Sequence, residues 1–154
     1  MSRGKGFRFA WERVTQAAEG EAEIMIYSAI TSWKWCEDDP EVTAKEFDKL
    51  MKEARASGAA TLRLRLNCPG GGVKQGGGAG SEAVAMKTMI EQSQFEQVNI
   101  DIEGLCASAA TFFVCIPGAH VRIAQGSEFM IHNPRAGCWG EAGDLRRVAG
   151  RVGK

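Results

Sequence analysis

The segment that most constrains the fold is Thr61 to Asn67, T-L-R-L-R-L-N, followed at once by Cys68-Pro69-Gly70-Gly71-Gly72. Leucines at every second position with arginines between them fit a strand with one apolar side, because successive side chains point to opposite faces. The proline and glycines then forbid its continuation and open a stretch where the backbone can approach a ligand closely, since glycine has no Cβ and tolerates positive φ.

The flanking segments alternate in type. Glu21 to Ile30 reads as a strand, with Ile24 and Ile26 in alternation. Thr43-Ala-Lys-Glu46 has capping-box spacing, and Phe47, Leu50, Met51 and Ala54 then share one helical face until Ser57-Gly58 stops it. A second glycine tract, Gly76 to Gly80, precedes a helical pattern over Ser81–Gln92 through Val84, Met86, Met89 and Ile90. Val98–Ile102 is a short strand, and Gly104 to Ile116 runs from small residues into an apolar segment read as a buried helix closed by Pro117-Gly118. Val121–Ile123 and Phe129–Ile131 are two more strands, read as a pair, and a last helix begins near Glu141. Strands alternating with helices predict an α/β domain with helical crossovers. Residues 1–20 are expected to form an N-terminal arm and 21–154 one domain.

Charge and cysteine usage exclude several functions. The 19 basic and 19 acidic residues cancel, so nothing draws the molecule to nucleic acid or an anionic membrane. No segment approaches the ~20 apolar residues of a membrane helix, and the basic, aromatic start lacks a signal peptide's apolar run, so a cytoplasmic location is expected. The five cysteines include no C-x-x-C pair, and neither His120 nor His132 has a second ligand at zinc-site spacing. Neither a metal nor a cofactor is expected. No Gly-Lys-Ser or Gly-Lys-Thr follows the glycines, which excludes a P-loop, and their spacing fits a dinucleotide fingerprint poorly.

Two side chains stand out chemically. Ser108 lies among small residues at a strand-to-helix junction, where backbone N–H groups can face an oxyanion. The same Ala-Ser-Ala also suits tight packing at a buried turn. His132 ends the apolar run Phe129-Met-Ile, just before Pro134, and a histidine held there is placed either to activate a serine or to hydrogen-bond at a sheet edge. Arg63 and Arg65 read as a solvated or subunit-facing side of their strand, and His120 as structural.

Three separated blocks resemble the signature blocks of the Clp protease proteolytic subunit (ClpP) family: Leu66-Asn-Cys-Pro-Gly-Gly71, Gly104-Leu-Cys-Ala-Ser108-Ala-Ala and Met130-Ile-His132-Asn-Pro134. The strand at Ala22–Tyr27 and the helix at Val42–Phe47 are further similar to the phage and prophage branch, described as head-maturation proteases. The resemblance implies a ClpP/crotonase-type fold of repeated β-β-α units, Ser108 as nucleophile, His132 as base and then acid, and the N–H groups of Gly71 and Ala109 as the oxyanion hole. It implies an extended polypeptide substrate lying beside Gly72 and Val73 and beside Arg135 to Gly137. It implies a homo-oligomeric ring, with an ATP-dependent unfoldase or phage capsid proteins as partners.

This sequence departs from the family in three places. Cys68 stands where the family has serine, the Gly72–Gly80 tract is longer and richer in glycine, and the family's catalytic Asp lies several dozen residues beyond the histidine, on a segment this chain does not reach. The absent acid makes a non-cleaving, peptide-binding scaffold the alternative expectation, and a crotonase-like acyl-CoA enzyme a more distant one.

Overall fold

The computed structural model describes residues 15–18, 20–34, 36, 39–71, 79–133 and 140–152. Six strands, β1 (Thr15–Ala18), β2 (Glu21–Ile26), β3 (Thr61–Cys68), β4 (Gln97–Ala107), β5 (His120–Ile123) and β6 (Glu128–Met130), form one sheet. Helices α1 (Ala44–Ala56) and α2 (Ala79–Glu91) join β2 to β3 and β3 to β4, a 3₁₀ helix spans Ser108–Cys115, and α3 covers Ala142–Val152. Thr15–Ala18, inside the segment expected to be an arm, pairs antiparallel with β2, and every other pairing is parallel. The order is β1-β2-β3-β4-β5, with β6 also on β4.

The alternation in the sequence explains the layers. Ala22, Ile24 and Ile26 on β2, Leu62, Leu64 and Leu66 on β3, and Ile100 and Ile102 on β4 are all buried against the helices. Each fully buried aliphatic side chain contributes about 1.5–3 kcal/mol. The α1 face follows the predicted spacing: Phe47, Leu50, Met51 and Ala54 are buried. Thr43 Oγ1 accepts the Glu46 N–H at 3.2 Å and the Glu46 carboxylate accepts the Thr43 N–H at 3.0 Å, the predicted capping box. In α2 the buried residues are Ala83, Met86 and Ile90, whereas Val84 is exposed.

The residues between the buried ones tile the other face of the sheet with ion pairs. Arg63 reaches Glu21 on β2 and Asp101 on β4, Arg65 reaches Glu23 on β2 and Glu103 on β4, and Arg122 on β5 forks onto Asp101 at 2.7 and 2.9 Å. Acidic, basic, acidic and basic strands therefore lie side by side, each column neutralised by its neighbours. The Tyr27 hydroxyl also donates to Glu103, and Arg65 lies 5.9 Å from the Tyr27 ring centroid.

β4 differs from its expected extent. It continues past Ile102 through Glu103 and Gly104 to Ala107, so the buried helix expected from Gly104 starts at Ser108 and is eight residues long. Nor do β5 and β6 pair with each other: both lie in tandem along one edge of β4, at Asn99–Ile102 and at Leu105–Ala107. The connection between them stays on that edge because the Ala124 N–H and the Ser127 hydroxyl both donate to the Ile102 carbonyl, at 2.9 and 3.1 Å.

Candidate active site

The loops that follow β3, β4 and β6 leave the same end of the sheet, because all three strands are parallel. The carboxyl ends of parallel strands are where open α/β sheets place ligands. Cys68 pairs with Cys106, and Ala107 pairs with Met130. Gly70, Ser108 and His132 each follow one of these paired positions by two residues or fewer, on strands about 4.8 Å apart.

Ser108 is the structural singularity of this region. Its φ is +53°, the one positive value at a non-glycine residue among the described residues. The left-handed region costs a non-glycine L-residue roughly 1–2 kcal/mol. Extended Ala107 (φ −127°, ψ 150°) feeds this turn, and the 3₁₀ helix begins directly from it. The geometry is held from below, where Thr111 Oγ1 donates to the Ser108 carbonyl at 2.6 Å and Phe113 packs on Phe47 of α1 with ring centroids 6.4 Å apart. Ala107, Ala109 and Ala110 are buried, while Ser108 keeps partial exposure.

Gly70 lies against this turn with φ +91°. A Cβ there would fall 2.4 Å from the Ala107 carbonyl oxygen, 2.7 Å from the Ser108 Cβ and 2.8 Å from the Ala109 nitrogen. The loop is braced on its other side, where the Ile30 N–H donates to the Gly70 carbonyl at 2.7 Å. In a trans peptide the C=O and the following N–H point in opposite directions, so the Gly71 N–H is directed away from Ile30. Cys68 completes the turn: its buried Sγ accepts the Gly70 N–H at 3.4 Å, the bond a serine hydroxyl makes in an ST-turn. Burial pushes the Cys68 thiol up to about 12, so it stays neutral there.

His132 is exposed just beyond β6, with Nδ1 2.7 Å from the Asn133 carbonyl oxygen. The carbonyl can only accept, so Nδ1 is the donor in this bond, and a neutral ring so bonded has its lone pair on Nε2. Gly72, Val73, Arg135 and Gly137, expected to line the substrate, lie outside the described residues.

The family model for Clp protease matches residues 42–154. The chain belongs to the Clp protease family. Its fold is of the ClpP type: the chain is similar to a mutant of ClpP1 from Listeria monocytogenes, with TM-score 0.56 and 19% identity over 84% of this chain and 63% of that one. It is also similar to a mutant of the membrane-bound stomatin-specific protease 1510-N in complex with a substrate peptide, with TM-score 0.51 and 22% identity over 73% of this chain and 43% of that one. This Clp protease family chain thus spans under two thirds of the length of either solved structure. No curated protein matches it.

Within the family blocks, sequence reasoning singled out Gly71 and passed over Gly70, which makes the tighter contact with the serine turn. Three consecutive glycines after a proline were the available signal. It also passed over Asn67, whose side chain turns out to bridge two strands.

Proposed function

We propose that this chain is a serine endopeptidase subunit of the ClpP type, with Ser108 as nucleophile and His132 as base. The observation that carries this reading is the left-handed Ser108 turn pressed against Gly70. A strained nucleophile between a strand and a helix lifts its hydroxyl clear of both, and strain of this kind persists where function requires it.

In this reading Ser108 Oγ attacks the scissile carbonyl while His132 Nε2 takes its proton. The Gly71 and Ala109 N–H groups receive the oxyanion, and His132 returns the proton to the departing amine. Water then attacks the acyl-enzyme by the same route, with His132 again as base, and frees Ser108. The substrate is an extended polypeptide that adds as a strand beside Gly72–Val73 and Arg135–Gly137. Unfolded chains or phage head proteins, cleaved in the cytoplasm inside a ring of identical subunits fed by an unfoldase or assembled with capsid proteins, are the proposed setting.

One observation favours a second reading, a protease-fold scaffold that binds peptide without turnover. The Nδ1 partner of His132 is a main-chain carbonyl and not the carboxylate of a triad. Loss of the acid from a triad costs ~10⁴ in turnover.

A fluorophosphonate probe tests between them. Labelling that is lost in Ser108→Ala and strongly slowed in His132→Ala supports the peptidase. An unlabelled wild-type chain that still binds peptide favours the scaffold.

A further inference from the structure

The register between β3 and β4 changes just before the site. Leu66 pairs with Ile102, and the next pair is Cys68 with Cys106, so β4 uses four steps where β3 uses two. The backbone ladder is interrupted over Glu103 to Leu105, and a side chain fills the gap. Asn67 Oδ1 accepts the Leu105 N–H at 3.0 Å, across the bulge. Gly104 leaves room for that amide: a Cβ at Gly104 would lie 2.6 Å from Asn67 Oδ1 and 2.9 Å from its Cγ.

Within the β3–β4 ladder, the pair that carries the Gly70 loop and the Ser108 turn comes directly after this clamp. Cys68, which shapes the Gly70 turn, and Cys106, two residues before Ser108, are the first pair after it. The contact they set up tolerates no added atom, since a Gly70 Cβ would overlap three atoms of residues 107–109. A shift at the bulge would therefore press directly on the contact between Gly70 and the Ser108 turn.

We infer that Asn67 is a positioning residue: its side-chain carbonyl fixes the β3–β4 register that sets the oxyanion loop against Ser108, with Gly104 as its required partner. This inference rests on the peptidase reading for its effect on the reaction, though not for the register itself. A displacement of about 1 Å at a reacting centre can cost ~10²-fold in rate.

The test combines the rate of fluorophosphonate labelling of Ser108 with amide hydrogen exchange over residues 105–107. Asn67→Leu removes the acceptor, Asn67→Asp keeps it, and Gly104→Ala pushes the amide aside without touching Asn67 itself. Asn67→Leu and Gly104→Ala are each expected to slow labelling by roughly 10- to 100-fold, with the double variant no slower than either single one, because both remove the same bond. Asn67→Asp is expected to keep most of the rate. Wild-type labelling in Asn67→Leu overturns the inference. If the wild-type chain takes no label, the peptidase reading has failed and the register is judged by exchange alone. Faster exchange at Leu105, Cys106 and Ala107 in Asn67→Leu then upholds it, and faster exchange at Leu105 alone overturns it.

Discussion

Gly70 and Ser108 are packed so closely that a single methyl group on the glycine would lie 2.7 Å from the serine Cβ. The two residues are 38 positions apart in sequence and sit on loops of neighbouring strands. Their contact joins the block that would hold an oxyanion to the block that would attack the carbonyl.

Gly70→Ala is therefore expected to be severe. Its Cβ would overlap backbone atoms of Ala107 and Ala109, which have no rotamer by which to retreat, at a φ of +91°. Strain and overpacking together predict a loss of about 2–4 kcal/mol and of Ser108 labelling. Gly58→Ala, at φ +74° with nothing within 4 Å of the new Cβ, should cost only about 1–2 kcal/mol. Urea unfolding of the two variants measures the difference.

The strain at Ser108 predicts an inversion of the usual helix-start preference. Ser108→Ala and Ser108→Gly both remove the hydroxyl proposed as nucleophile, but only glycine relaxes at φ +53°. Ser108→Gly should be the more stable of the two by about 1 kcal/mol. Equal stabilities in thermal or urea unfolding would show that the turn is unstrained.

Acid sensitivity should trace to the polar face of the sheet. Burial alone would raise the Glu103 carboxyl, but hydrogen bonds from Arg65 and Tyr27 outweigh it and hold the group below its ordinary value of 4.5. A carboxylate depressed on folding stabilises the native state above its unfolded pKa, and that contribution drains away as pH falls through the lower folded value. The wild type should lose stability below about pH 4.5 more steeply than Glu103→Gln. Parallel unfolding curves for the two proteins would remove Glu103 from the account.

Thiol reactivity should split the described cysteines into two classes. Cys36 and Cys115 are exposed, whereas Cys68 and Cys106 are buried. Burial pushes the Cys68 and Cys106 thiols up to about 12 and about 11, leaving little thiolate to react. Brief treatment with a maleimide, read by peptide mass spectrometry, should modify Cys36 and Cys115 and spare the other two until denaturant is added. Rapid native modification of Cys68 would mean that the Gly70 turn opens readily.

The legible parts of the fold were those written in local chemistry. The capping box at Thr43 and Glu46 and the alternating leucines of β3 each state their structure within a few residues, and both were read correctly. The end of β4 was not legible, because Gly104 and its small neighbours lack a strand pattern and their pairing depends on Asn67, 37 residues earlier. The tandem seating of β5 and β6 on β4 is likewise a tertiary fact. They read as a hairpin-like pair because nothing in Gln125-Gly126-Ser127 reveals that Ile102 captures the connection. Ser108 was legible as a strand-to-helix serine, but its left-handed φ was not, since serine has no special preference for that region.

The pairing of Ala107 with Met130 also orders events in time. A parallel strand cannot dock until its whole crossover has been made, so the edge of β4 beyond Leu105 stays vacant until residues 128–130 have been synthesised and have found it. Only then do Ser108 and His132 follow neighbouring strand ends, one residue past Ala107 and two past Met130. In the peptidase reading proposed above, a partly made chain would therefore carry the serine before the strand that brings its base.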